Sequence, residues 1–249
     1  MSTTNRLRAA GLLLALACGS ATAQQAPVYS LAPGRVLSAT ALGAGTFALG
    51  HYSASRVQPF TPAELAALDP ARVPAWDRVA TRYWSPRASK ASDYLLLGAG
   101  LLPFSLLALP EARQEWKAVA LITLNAGLLN DGVTHLVKSA ARRPRPYAYQ
   151  TGPLPGLAEA QASADTRLSF FSGHTSFTAT ASFCAASMFD DLCPKSPARP
   201  WVWAGAAVVP AVAGFLRVRA GKHYPSDVVA GYAAGALIGW LTPRWYRRR

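Results

Sequence analysis

The sequence predicts a membrane-embedded, all-α fold of five to six helices. Of its 249 residues, 51% are hydrophobic and 15% are charged, a composition that excludes a disordered chain. Several apolar stretches of about 14 to 20 residues approach the length that crosses a bilayer core, where segments of that length span as helices. Five of these stretches are strong, namely residues 94–109, 118–137, 175–189, 201–216 and 228–241.

A sixth stretch, residues 36–50, is built from Ala, Gly, Ser and Thr with few large apolar groups, and we do not expect it to span. If the N-terminus is exported and the chain then crosses the membrane five times, the basic turns and the arginine-rich C-terminus lie in the cytoplasm. This is the distribution that the positive-inside rule requires. The same count places the connections 138–174 and 217–227 together on the outer face. A sixth span would reverse this orientation.

The N-terminal third is predicted to lie outside the helical bundle. Residues 1–23 combine Arg6 and Arg8 with an apolar run and an A-x-A site, which predicts a secretory signal peptide; an uncleaved anchor and a lipoprotein signal are the alternatives. Residues 24–91 carry prolines and charges and are interpreted as an N-terminal extracytoplasmic segment or cover. The helical-bundle domain is then expected over residues 92–249.

The formal net charge of +13 admits nucleic acid, an anionic membrane surface or an anionic substrate as a partner. The cations cluster within residues 138–145 and 244–249, and neither cluster forms the long polar face that nucleic-acid binding needs. We therefore expect a membrane and an anionic substrate, with no nucleic acid and no obligate protein partner.

The first candidate site motif joins Lys138 to Arg145, which lies seven residues later. Pro144 and Pro146 bracket Arg145 and favour an extended segment, from which its side chain can reach back to an anion. Arg binds phosphate with two parallel hydrogen bonds and Lys as a point charge. A basic cluster at the membrane edge is the competing interpretation.

The second motif is Ser172-Gly173-His174, placed before a helix of small residues. Gly173 permits a close backbone approach, and the helix-terminal N–H groups with the Ser172 hydroxyl form an anion site. His174 beside that site has the titration range of a general acid. Taken alone, most such tripeptides are helix caps.

The third motif contains Arg217, His223 and Asp227. A carboxylate four residues after an imidazole can fix its tautomer and raise its nucleophilicity, and Arg217 adds a third cation for phosphoryl oxygens. A structural His–Asp cap of the last helix is the alternative. Polar residues within the second stretch, including Asp131 and His135, are predicted to form an interior network or to line a substrate path.

No cysteine or histidine cluster has zinc spacing and no acidic group has the pattern of a magnesium site, so the sequence predicts neither a metal nor a cofactor.

Together the motifs resemble the K-x6-R-P, P-S-G-H and S-R-x5-H-x3-D signature of the type 2 phosphatidic acid phosphatase superfamily, over roughly residues 90–242. The resemblance implies an all-helical bundle and a metal-independent mechanism in which His223 forms a phosphohistidine, Asp227 orients it and His174 is the acid. It implies a phosphate cradle that consists of Lys138, Arg145, Ser172, Gly173 and Arg217. Phe171 and Leu216 replace the expected Pro and Ser.

The resulting hypothesis is an inner-membrane phosphatase of bacterial type, whose site faces the periplasm and hydrolyses a lipid phosphomonoester or diphosphate. The candidate substrates are undecaprenyl diphosphate, phosphatidylglycerol phosphate, phosphatidate and lipid A phosphate. A soluble periplasmic acid phosphatase and a non-catalytic membrane anion-binding protein are the alternatives.

Overall fold

The computed structural model describes residues 26–248, which form ten α-helices and five short 3-10 helices; this range contains no strand. The prediction of an all-α fold is confirmed, while the signal peptide predicted for residues 1–23 lies outside the described residues. The six long helices are α1 (Pro33–Ser55), α2 (Pro86–Ser105), α3 (Trp116–Ala141), α4 (Gly173–Leu192), α5 (Arg199–Arg219) and α6 (Pro225–Tyr246).

The remaining helices are short and lie in the connections. The α-helical ones are Pro62–Ala66, Ala75–Arg78, Pro110–Gln114 and Leu157–Gln161, and the 3-10 helices are Pro70–Arg72, Val79–Arg82, Leu106–Ala108, Pro146–Tyr149 and Ala164–Arg167.

Helix α4 is the centre of the bundle and packs against α2, α3, α5 and α6. Its small side chains allow α6 to approach closely, through glycines spaced four residues apart. A Cβ atom on Gly235 would lie 2.0 Å from the Ser176 carbonyl oxygen, and one on Gly239 would lie 2.3 Å from the Thr180 carbonyl oxygen. These two backbones are therefore in direct contact, and only glycine fits on α6 at these positions.

Helix α1 departs from the expectation for residues 24–91. The stretch 36–50 lies within α1 and packs along α3, so it is part of the bundle. A Cβ atom on Gly132 of α3 would lie 2.3 Å from the Thr46 carbonyl carbon. The small residues that lower the hydropathy of this stretch are the ones that permit this close packing. The part of the segment that follows α1 consists of short helices and turns.

The bundle has an apolar end and a polar end. A buried cluster at one end includes Leu109, Ile122, Met188 and Phe189. The chain enters α1 and leaves α6 at this same end, where the Ser30 N–H donates to the Tyr246 carbonyl over 2.7 Å. The three motif regions lie at the opposite end.

The outward faces of the bundle are apolar. Two helices, Pro86–Ala108 and Arg199–Arg219, are long and apolar enough to cross a membrane, yet only 22% and 28% of their apolar windows are buried. The core helix of a soluble protein would be mostly buried. Large exposed side chains on these helices include Leu97, Leu101 and Trp201. A lipid environment accounts for this exposure.

Candidate active site

The three motifs converge on one cavity of about 480 Å³ at the polar end of the bundle. Six of the eight predicted site residues line it: Lys138, Arg145, Gly173, His174, Arg217 and His223. The other two, Ser172 and Asp227, are buried behind this lining. Leu96 and Phe177 form an apolar part of the wall. An apolar groove of about 510 Å³, located between α1, α3 and α6, contains none of the predicted site residues.

His223 lies in the turn between α5 and α6, and its side chain is buried. Its Nδ1 atom faces Asp227 Oδ2 at 3.5 Å, while its Nε2 atom lies 3.1 Å from Arg145 Nη1 at the cavity. The carboxylate favours the tautomer that carries the proton on Nδ1, which leaves the Nε2 lone pair directed toward the cavity. The imidazole therefore presents a nucleophilic nitrogen to an anion that binds there.

The environment of His223 keeps the imidazole neutral. Burial disfavours the imidazolium, and the nearby Arg145, Lys138 and Arg217 cations repel it, so the pKa of His223 falls well below its ordinary value. A neutral imidazole is the form that has a free lone pair and can act as a nucleophile.

Asp227 is fixed by three donors. Its side chain accepts hydrogen bonds from Arg143 Nη1 at 2.5 Å, from Ser169 Oγ at 2.5 Å and from the Tyr224 N–H at 3.0 Å. These bonds satisfy a carboxylate that is completely buried and set its position relative to His223.

Arg143 is held in turn by Asp77, which sequence reasoning did not identify. Arg143 Nη2 donates to Asp77 Oδ2 over 2.7 Å, and Asp77 also accepts from the Ser226 N–H and hydroxyl. Asp77 is 1% exposed. No sequence spacing connects a residue near position 77 with the third motif, and only the fold brings them together.

Arg145 is anchored before any substrate binds. Its Nη2 donates to Asp165 Oδ1 over 2.6 Å, and its Nη1 donates to the Lys222 carbonyl over 3.0 Å. Burial would raise the pKa of Asp165, but Arg145 and Lys138 outweigh this effect and lower it. Asp165 is therefore an ionised carboxylate at the cavity, and it belongs to the connection between α3 and α4, whose residues 147–168 the sequence marks as a candidate substrate-recognition lid.

Arg217 offers an unused donor. Its Nη1 contacts the Ser92 hydroxyl at 3.2 Å and Asp93 Oδ1 at 3.8 Å. Its Nε is buried and has no hydrogen-bond partner among the described residues. An uncompensated buried donor is destabilising, and an anionic oxygen in the cavity is a partner that would satisfy it.

His174 lies in the first turn of α4. Ser172 caps this helix by accepting a hydrogen bond from the Thr175 N–H, so the α4 N-terminus and its partial positive charge are directed at the cavity. His174 Nε2 pairs with Asp93 Oδ1 at 2.7 Å. His174 is more exposed than His223, as suits a group that exchanges protons with solvent.

A further His–Asp group lies on the α1 side of the cavity. Asp131 and His135 line the cavity, and His51 of α1 joins them. Within residues 26–248, this is the group of side chains whose spacing could hold a metal ion. Spacing along the chain did not reveal it, because His51 is far from the other two residues in sequence.

Comparison with known proteins supports the family resemblance. The PAP2 superfamily model matches residues 114–249. The crystal structure of the first transmembrane PAP2 type phosphatidylglycerolphosphate phosphatase from Bacillus subtilis is similar in fold, with a TM-score of 0.50 and 20% sequence identity, over 82% of this chain and 96% of that chain. No match was found among curated proteins.

The family match covers more than half of the chain and contains all three motifs, from Lys138 to Asp227. The fold similarity extends to the helices that precede the match. This chain therefore belongs to the PAP2 superfamily.

Proposed function

We propose that this protein is a membrane phosphatase that hydrolyses a lipid phosphomonoester or diphosphate through a phosphohistidine on His223. One observation carries the proposal: a buried, neutral His223 lies between the Asp227 carboxylate and the Arg145 guanidinium, with its Nε2 at the cavity. A structural cap of α6 would need the carboxylate but not a lone pair directed at a cluster of cations.

The phosphoryl group binds among Lys138, Arg145 and Arg217, with the N–H groups at the start of α4 as further donors. His223 Nε2 then attacks phosphorus, and the bond between phosphorus and the leaving oxygen breaks. His174 supplies the proton that the leaving oxygen takes up. The products of this step are a dephosphorylated alcohol or a lipid monophosphate, and a phosphorylated His223.

The second step reverses the role of His174. As a neutral imidazole, His174 removes a proton from water, whose oxygen attacks phosphorus while the bond to Nε2 breaks. Inorganic phosphate leaves, and both histidines return to their starting state. Asp93 pairs with His174 and Asp227 faces His223, so each histidine has a carboxylate that orients its ring.

A lipid is the substrate class that the surface favours. Helices α2 and α5 expose apolar side chains along their length, and Leu96 of α2 and Phe177 of α4 extend an apolar wall into the cavity. A lipid phosphate can therefore reach the cradle with its chains in the bilayer. The candidates remain undecaprenyl diphosphate, phosphatidylglycerol phosphate, phosphatidate and lipid A phosphate.

The proposed orientation places the cavity on the outer, periplasmic face of a bacterial-type inner membrane. Arg113, Lys117, Arg199 and Arg244 lie at the opposite, apolar end, in a short connecting helix or in the terminal turns of α3, α5 and α6, which supports that end as the cytoplasmic one. The cations of the cradle at the cavity end are buried and serve the site, but this end also carries exposed cations such as Arg87 and Arg142, so the test of the orientation is a reporter fusion.

We propose that α1 also crosses the membrane, packed along α3, so that six crossings return the chain to the side from which it started. An outer-face cavity then requires residues 26–32 to be cytoplasmic, whereas a signal peptide cleaved after Ala23 would leave them outside. The cleaved signal and the outer-face site predicted together from five spans are therefore incompatible once α1 crosses. Our proposal keeps the outer-face site.

Phosphate release from the detergent-purified protein tests the proposed function. The substrates are the four lipid phosphates and p-nitrophenyl phosphate, with EDTA present and with His223→Ala as the control. We expect preference for one lipid, lost in His223→Ala. Preference for the small ester, with release of the protein from the periplasm without detergent, would support a soluble acid phosphatase. No turnover with any substrate would support an anion-binding protein.

A further inference from the structure

We infer that His51, Asp131 and His135 form a binding site for a divalent transition-metal ion of the Zn²⁺ class, at the wall of the catalytic cavity and separate from the phosphate cradle. This inference goes beyond the proposed function, because the hydrolysis described above uses none of these three side chains. It also provides a role for α1, which lies before the residues that match the family.

The geometry brings three ligand atoms together. His51 Nε2 lies 2.7 Å from Asp131 Oδ2, and His135 Nδ1 lies 3.4 Å from the same oxygen. The three potential ligand atoms all lie within 4.8 Å of one another. Ligands of a tetrahedral ion with bonds of about 2.0–2.2 Å are separated by about 3.3–3.6 Å. Small side-chain movements would accommodate the ion, with His135 Nδ1 exchanging its 2.9 Å contact to the Asp131 carbonyl oxygen for the metal.

Two features preorganise these side chains. Asp131 and His135 are four residues apart on α3 and therefore lie on the same helix face. The imidazole rings of His51 and His135 stack with their centroids 4.2 Å apart, which holds both rings beside the carboxylate. Because these contacts already restrict the side chains, binding of an ion costs less conformational entropy.

The ligand set selects the class of ion. Two imidazole nitrogens and one carboxylate oxygen suit Zn²⁺ and its first-row neighbours, whereas Mg²⁺ and Ca²⁺ prefer oxygen ligands. Three protein ligands leave a coordination position free for water. Because Asp131 and His135 line the catalytic cavity, that position is open to the cavity.

The three ligand side chains are distinct from those of the cradle, although both groups line one cavity. Asp131 and Lys138 are seven residues apart on α3, which corresponds to a rise of about 10 Å. The bound ion would join α1 to α3 and stabilise the wall of the cavity. We therefore expect it to affect stability, while catalysis proceeds without it.

Metal binding by the full chain, purified in detergent with any polyhistidine tag removed, tests the inference. Equilibrium dialysis against Zn²⁺, followed by metal analysis, should give one ion per chain. His51→Ala and His135→Ala should each weaken binding by at least about 10-fold, the loss that follows even from removal of an outer-shell partner. His174→Ala removes a histidine that pairs with Asp93 and should leave the affinity unchanged.

Thermal unfolding gives a second readout that does not depend on catalysis. Zn²⁺ should raise the Tm of the wild type but not that of His51→Ala, and Mg²⁺ should raise neither. His51→Gln provides a second variant if the alanine protein does not fold. Absence of stoichiometric Zn²⁺ binding in the wild type, unchanged affinity in the His51 variants, or loss of binding in His174→Ala would overturn the inference.

Discussion

Asp77 and Arg143 form a buried ion pair of 2.7 Å that connects a cover segment to the catalytic end of the bundle. The other arm of Arg143 donates to Asp227. Asp77 lies before the residues that match the family, whereas Asp227 lies within them. The segment that follows α1 therefore positions the carboxylate that faces His223.

Replacement of Asp77 by Asn tests this connection. The amide removes the charge that holds Arg143, and we expect Arg143 and Asp227 to shift relative to His223. Small misplacements of catalytic groups can lower rates by about 10- to 100-fold, so kcat should fall by that amount while KM changes little. Steady-state kinetics on the preferred lipid substrate measure both values.

Asp190→Asn is the matched control. Asp190 also pairs with an arginine, Arg199, but at the apolar end of the bundle. The Asp190→Asn variant should retain the wild-type kcat. An equal loss of kcat in both variants, or full activity of Asp77→Asn, would show that the Asp77 contact does not position the site.

The pH dependence of turnover should reflect the lowered pKa of His223. Burial and the neighbouring cations lower this pKa below about 6.5, and the neutral form is the nucleophile. His223 therefore becomes protonated only at a pH below its ordinary pKa. The fall of kcat/KM on the acid side should accordingly occur below pH 6.5. Two substrates with different phosphate pKa values separate substrate ionisation from that of His223. An acid limb above pH 6.5 for both substrates would contradict this assignment.

The packing of α1 against α3 predicts opposite outcomes for two glycines on one helix. A Cβ atom on Gly132 would clash with the backbone of α1 at Thr46, whereas one on Gly127 would meet nothing within 4 Å. Gly132→Ala should lower the Tm in detergent, because overpacking costs about 1–3 kcal/mol. Gly127→Ala should leave the Tm unchanged or raise it, since Ala favours the helix by about 0.5–1 kcal/mol. Equal Tm values would indicate that α1 does not pack as described.

The six-helix bundle predicts where the chain ends lie. The Ser30–Tyr246 hydrogen bond places the start of α1 and the end of α6 at one face. A reporter fused after Arg249 should therefore be cytoplasmic, and a cysteine introduced at Gly152 should react with a membrane-impermeant reagent added outside. A periplasmic C-terminal reporter would reverse the proposed orientation.

The sequence predicted the parts of the site that depend on local spacing. His223 with Asp227, and Ser172 with His174, are short motifs whose geometry follows from a helix start, so their positions were foreseen. Asp77 and Asp165 reach the site from separate connections, and Asp93 reaches it from α2. No periodicity links them to the motifs, and they could not be predicted.

The packing of α1 against α3 could not be predicted for a different physical reason. Hydropathy measures the affinity of side chains for lipid, and the small residues of 36–50 score poorly. It does not measure how closely two backbones can approach. The contact of Gly50 and Gly132 with the opposite helix depends on that close approach, and it appears only in the folded bundle.

Direct detection of the covalent intermediate tests the central claim, that His223 is the nucleophile. The purified protein is mixed with its lipid substrate, quenched within milliseconds at alkaline pH and analysed by peptide mass spectrometry. We predict a phosphorylated His223 in the wild type that is absent from His223→Ala. Phosphate on another residue, or none on His223 during active turnover, would contradict the mechanism.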